Sequence, residues 1–255
     1  MVTSEGGGVR KTGQPADPTH ASPSRRKGAH LQGLLRIALC GALVCVSGPS
    51  ARADRALEEL HRAAPALDRE VLALSLLAVR CAERSSELDA PRTLTVIDYS
   101  LPSTQPRLWV LDLERRSLLF EELVAHGRGS GDDRATAFSN EEGSHQSSLG
   151  LFVTAAPYVG KHGRSLRLRG LEPGVNDRAA ERAIVIHGAR YVSRAFAEQH
   201  GRLGRSWGCP VLAQDVAPEV IDRIAGGSPV FAYYPETAWL ERSRFLGACG
   251  AAGAE

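Results

Sequence analysis

Two short segments of this chain bring together residue types that can do chemistry. In Ile184-Val-Ile-His187-Gly188, an apolar run ends at a histidine followed by a glycine. In Arg205-Ser206-Trp207-Gly208-Cys209-Pro210, a cysteine follows a glycine in a tight polar stretch. A thiolate is a strong nucleophile, but a free cysteine near pKa 8.5 is mostly thiol at neutral pH. An imidazole beside it can take the proton and later hand it to a leaving amine. Gly208 would let the backbone turn so that its own N–H and that of Cys209 face a developing oxyanion, and Pro210 pins the chain behind the nucleophile. The Gly188 carbonyl would hold the His187 tautomer. His187 and Cys209 are far enough apart in the chain that only folding can join them. On residue types alone, a buried cysteine and a hydrogen-bonded strand-end histidine explain the pair equally well.

The elements that must position these residues read as mostly β. Thr93–Tyr99, Leu108–Leu113 and Ser117–Ala125 form a meander of short, apolar, partly β-branched runs. Residues 126–148 are a long loop rich in Gly, Ser, Asp and Asn, a length that marks function or disorder. Further strands are expected at Gly150–Ala155, Ser165–Leu171, Ala183–His187 and Pro229–Tyr234, and a helix over Ala217–Ile224, capped by Asp215 and stopped by Gly226-Gly227. Before them, Leu57, Leu60, Leu67, Val71, Leu74 and Leu77 recur at helical spacing, with Pro65 dividing the stretch in two. The expected fold is therefore mainly β, a sandwich or barrel, with a short N-terminal helical segment. The expected organisation is a signal peptide and disordered leader over 1–53, the helical segment over 54–90, a catalytic domain over 91–240 and a flexible tail over 241–255.

The leader reading rests on Arg25-Arg26-Lys27, the apolar run Ile37–Val46 and the small-x-small triplet Ala51-Arg52-Ala53. The run is too short for a comfortable span, which needs about 20 residues, so no stable membrane span is expected after cleavage. Export to the periplasm or cell envelope follows as an expectation. Residues 1–53 carry seven basic and two acidic side chains, which turns the formal charge of +2 into −3 for the remainder. Such a body has no basic field for nucleic acid. Outside the leader, three cysteines stay: Cys81, Cys209 and Cys249. The odd number implies at least one free thiol, and whether Cys81 and Cys249 pair is open.

The ordered set Phe138-Ser-Asn140, Ser147–Phe152, Tyr158–Gly163, Ser165–Leu171, Gly174–Asp177, Ala183–Gly188 and Gly201–Pro210 resembles the YkuD-like L,D-transpeptidase superfamily, in its murein L,D-transpeptidase catalytic-domain-like branch. The resemblance covers roughly residues 90–240. It implies a cysteine acyl-transferase acting on peptidoglycan stem peptides, with Cys209 as nucleophile and His187 as general base and acid. Gly208 and Cys209 amides would form the oxyanion hole, Ser206 would support the loop, and Gly188 would orient His187. Arg205, Trp207, His162 and Tyr158 are the candidates for contact with substrate, although an exposed loop histidine fits His162 equally well and a place over the core fits Tyr158 better. No cofactor and no metal are implied. An L,D-carboxypeptidase and a non-catalytic wall-binding module are the alternatives. The chain departs from the commoner motif in carrying Trp207 where histidine precedes Gly-Cys, and Val211 where an arginine follows the cysteine; Arg205 or Arg202 would stand in for that arginine. His126, His145 and His200 lie in polar stretches and read as solvated.

Overall fold

A computed structural model describes residues 49–247 and Cys249. The leader expected over 1–53 falls, up to residue 48, outside the described residues. Two helices open the described chain, α1 (Pro49–Ala63) and α2 (Arg69–Arg84). The break falls at Pro65, as the ring demands, and Asp68 restarts the helix by accepting the N–H groups of Glu70 and Val71. α2 buries Val71, Leu72, Leu76 and Val79, and its apolar stripe packs on β1 (Thr93–Asp98) and on β8 (Pro229–Tyr233).

The other strands are β2 (Leu108–Asp112), β3 (Ser117–Glu122), β4 (Gly150–Gly160), β5 (Gly163–Gly170), β6 (Val185–Ala189) and β7 (Val211–Ala213). All eight form one sheet in the order β3-β2-β1-β8-β4-β5-β6-β7, parallel at β1–β8 and β6–β7 and antiparallel elsewhere. The mainly β fold with helices at its start is thus as expected, and of the two architectures the barrel is the one formed. Its ends meet: past β3 the chain crosses to the far edge, where Ala125 and Val211 exchange backbone hydrogen bonds of 2.9 and 3.2 Å. Closure of this kind removes the exposed edges that an open sheet would leave.

β4 runs to Gly160 rather than ending at Ala155. A register shift between Thr154 and Pro157, which leaves Ala155 and Ala156 without partners on β5, carries the strand past the proline. β7 and the helices α3 (Arg194–His200) and α5 (Thr237–Arg242) were not anticipated, the strand being only three residues long. α4 (Ala217–Ile224) has the expected extent, but its N-cap is Val216 rather than Asp215, with no side-chain cap bond. It buries Val220, Ile221 and Ile224, each worth about 1.5–3 kcal/mol, against β5 and β6.

The segment expected as a flexible tail from 241 is pinned over its described part. Phe245 and Leu246 are buried in the core beside Trp239, and Cys249 is joined to Cys81 of α2 across 168 residues of sequence. Apolar side chains this close to the last helix bury rather than fray.

Candidate active site

β6 carries His187, and the loop entering β7 carries Cys209. The parallel register sets His187 opposite Val211, so Cys209, one strand alternation earlier, emerges on the same side. Both line a cavity of about 360 Å³, walled also by Tyr158, Lys161, His162, Arg182, Ala183, Val185, Tyr191, Arg205, Ser206 and Trp207. Every side chain expected from sequence at this site therefore reaches it, while Gly188 and Gly208 lie behind its wall.

His187 is buried, and its Nδ1 lies 3.1 Å from the Gly188 carbonyl. A carbonyl only accepts, so Nδ1 carries the proton and Nε2 keeps its lone pair. Burial pushes the imidazole below its usual pKa; the bond to Gly188 acts against this, while His162 and Lys161 add to it. The His162 ring stacks on His187 with centroids 4.2 Å apart. Gly188 permits this geometry because a Cβ there would crowd Ala217 and the Gln214 backbone at 3.0 Å.

Cys209 is the free cysteine of the described residues, its Sγ 3.7 Å from the Ala183 carbonyl. Burial pushes its thiol up; the Val185 N–H, the charges of Arg182 and Lys161 and its own N–H favour the thiolate.

The loop carrying Cys209 is held by two serines. Ser206 Oγ accepts the N–H of Gly208 at 3.0 Å and donates to the carbonyl of Cys209 at 2.7 Å. Ser147 Oγ donates to the Gly208 carbonyl at 3.1 Å and accepts the Gly127 N–H. The Gly208 N–H, expected from the resemblance to line an oxyanion hole, is engaged by Ser206 Oγ in this structure and holds the loop. Gly208 sits at φ +122°, and a Cβ there would meet the Gln146 carbonyl oxygen at 2.7 Å, so no other residue fits.

Three residues that the sequence reading did not single out matter here. Arg182 donates to the carbonyls of Ser139 and Gln146 and to Ser148 Oγ, which ties the long loop to the cavity wall. Lys161 sits at the tip of the β4–β5 hairpin, 5.9 Å from the Trp207 ring centre. Tyr191, its hydroxyl pushed up to about 12 by burial and the Cys209 charge, closes one side. Arg205 reaches the cavity, but its guanidinium binds Asp132 and the Gly131 carbonyl. Arg202 is not among the lining residues and donates to the Leu203 carbonyl. Val211, where the commoner motif has arginine, is fully buried.

His126 is not solvated, as its polar neighbours suggested. It is buried, with Nδ1 2.7 Å from Nη2 of the equally buried Arg107, whose other donors go to the Leu101 and Val124 carbonyls. The His126 carbonyl accepts the Ser206 N–H at 3.0 Å, so this pair underlies the Cys209 loop. His145 is half-buried against Trp207, and His200 is exposed. Among the described residues no cluster of His, Cys, Asp or Glu suits a metal ion.

A family model described as an L,D-transpeptidase catalytic domain matches residues 63–233. Similar solved structures include an L,D-transpeptidase from Mycobacterium smegmatis (14% identity, 56% of this chain and 59% of that one, TM-score 0.35). L,D-transpeptidase 3 from Mycobacterium tuberculosis, with a faropenem-derived adduct, is 15% identical over 56% of this chain and 61% of its own (TM-score 0.35). A helical cell shape determining protein from Campylobacter jejuni is 14% identical over 59% and 49% (TM-score 0.37). The chain spans less than two thirds of the length of these structures. No curated protein sequence matches it.

Proposed function

Because the chain belongs to the L,D-transpeptidase catalytic-domain family, we propose that it is a peptidoglycan-modifying cysteine acyl-transferase, with Cys209 as nucleophile and His187 as its base and acid. The observation that carries this is the pair itself: a free thiol and an imidazole share one cavity, and the bond from His187 Nδ1 to Gly188 leaves Nε2 able to accept a proton.

Nε2 takes the thiol proton as Sγ attacks the carbonyl of an L,D peptide bond in a stem peptide. The tetrahedral intermediate collapses, the C–N bond breaks, and the imidazolium returns the proton to the departing amine of the terminal D-residue. The acyl group is now a thioester on Cys209. An acceptor amine gives up its proton to His187 and attacks the thioester; the C–S bond breaks as the new amide forms, and the imidazolium returns the proton to the Cys209 thiolate. Burial of Cys209 among Val185, Arg182 and Lys161 supplies N–H and positive charge where negative charge gathers on sulfur. Ser206 and Ser147 keep the loop from shifting, which matters because misplacement by about 1 Å can cost on the order of 100-fold.

We propose further that the protein is exported and works in the periplasm or cell envelope; the Cys81–Cys249 disulfide supports an oxidising compartment. The test is to incubate the purified chain with stem peptides and read products by mass spectrometry, with Cys209→Ala as control. Loss of the terminal D-residue together with joined stems is expected. Shortened but unjoined stems would replace transfer with L,D-carboxypeptidase action, and no Cys209-dependent product would remove the enzymatic reading in favour of a wall-binding module.

A further inference from the structure

The cavity at Cys209 is cationic in a body that is otherwise net acidic. Its lining includes Lys161, Arg182 and Arg205 and the imidazoles of His162 and His187, with no aspartate or glutamate. Two of the cations are spent internally, Arg182 on loop oxygens and Arg205 on Asp132. Lys161 is not: it is exposed on the hairpin tip, and among the described residues it takes part in no ion pair.

A second free cation stands nearby. Arg128 has no carboxylate partner among the described residues; it donates to His145 Nδ1 at 2.9 Å and lies 5.7 Å from the Trp207 ring centre. Trp207 is 66% exposed at the cavity lip, so one aromatic surface carries Lys161 and Arg128 as flanking charges. An exposed tryptophan held between unpaired cations suits a ligand with an apolar backbone and several carboxylates. Asp132 is paired with Arg205, and Glu141 and Glu181 with Arg178, and none of them lines the cavity.

We infer that Lys161 and Arg128, set about Trp207, recognise carboxylates of the acyl donor, and that the enzyme selects stem peptides whose internal carboxyl groups are free over those in which they are amidated. This rests on the reading of Cys209 and His187 as an acyl-transfer pair on such peptides. Amidation removes one negative charge per carboxyl while leaving shape and the scissile bond alone, so it isolates the charge contribution.

The experiment compares kcat/KM of the full chain on two synthetic stems, each ending in a D-residue after an L-centre, one with free internal carboxyls and one with carboxamides. A preference of roughly tenfold or more for the free acid is expected, as one charge-assisted contact provides. The Lys161→Gln and Arg128→Gln variants bring the ratio toward one, whatever Lys161→Gln does to the rate on both stems alike, and added salt shrinks it in the wild type. Equal turnover of both stems, a preference for the amide, or a ratio that both variants leave unchanged overturns the inference while the acyl-transfer reading stands. Absence of turnover on either stem removes that reading itself, and this inference with it.

Discussion

His162 and His187 lie ring on ring, centroids 4.2 Å apart and planes 20° from parallel, although one belongs to the tip of the β4–β5 hairpin and the other to β6. The hairpin therefore touches the proposed base directly. Stacking fixes the plane of the His187 imidazole, and any positive charge on His162 opposes a second one on His187.

The acid limb of the pH–rate profile should show this. With neutral His187 as the proposed base, burial together with His162 and Lys161 lowers its pKa, so activity should persist below the ordinary imidazole range near 6.5. His162→Ala removes the repulsion that this ring exerts and admits water, and both effects raise the His187 pKa. The acid limb of kcat/KM should move to higher pH. An unmoved limb would show that the stack has no electrostatic part.

Thiol chemistry gives a second readout. With its pKa raised by burial, Cys209 rests largely as thiol at neutral pH, and its alkylation by iodoacetamide should accelerate into the alkaline range. His187→Ala should slow the neutral-pH rate about tenfold or more, since no base then takes the proton. A rate indifferent to His187 would count against the pair acting together.

The loop serines are expected to matter through geometry. Ser206→Ala leaves the Gly208 N–H and the Cys209 carbonyl without partners, a cost of about 1–3 kcal/mol if neither finds water. Gly208→Ala forces a side chain onto φ +122° and into the Gln146 carbonyl, costing roughly 1–3 kcal/mol from backbone strain alone. Both should lower kcat more than melting temperature suggests, with Cys209 still titratable under denaturing conditions.

His126 predicts a stability change with pH. Burial and Arg107 push its imidazole down to about 4, below the unfolded value near 6.5. Between the two the unfolded chain binds more protons, so the contribution is whole above about pH 6.5 and is lost as pH falls toward 4. It amounts to up to roughly 3 kcal/mol. Urea midpoints for wild type and His126→Asn, which keeps an acceptor for Arg107 but does not titrate, should differ in their slope across that window.

The Cys81–Cys249 bridge closes a loop of 168 residues and ties α2 to the C-terminal segment. Its replacement by two serines should cost about 2–5 kcal/mol, read as a lower denaturation midpoint under oxidising conditions. The difference should vanish when wild type is reduced.

Much of the site was legible because strand–His–Gly and Ser-x-Gly-Cys are local patterns, and local patterns survive in a sequence. Arg182 was not legible: it lies in a turn-rich stretch without periodicity, and its partners, 34 to 43 residues away, meet it only in the folded chain. His126 misled because its flanking glycines and Arg128 look like surface, while the buried partner, Arg107, is 19 residues upstream. The length of β4 beyond Ala155 was not legible, because the register shift that carries it past Pro157 is set by pairing with β5. The Ser206 bond to the Gly208 N–H was not legible either: a glycine before a cysteine says that a backbone N–H is near, not which partner it has.

The pair of hydrogen bonds between Ala125 and Val211 closes the barrel two residues past Cys209 and one residue before His126. A cylinder fastened by a full strand resists opening everywhere alike, whereas this one has a clasp, and the clasp sits at the reactive end. The same seam continues at Ser206, whose N–H goes to the His126 carbonyl and whose carbonyl takes the Arg128 N–H, so a fluctuation that opens these four bonds would loosen the Cys209 loop while the other strand pairs hold. Amide exchange at Ala125 and Val211 should then be faster than in β1 and β8, marking the seam beside Cys209 as the part of the barrel most ready to open.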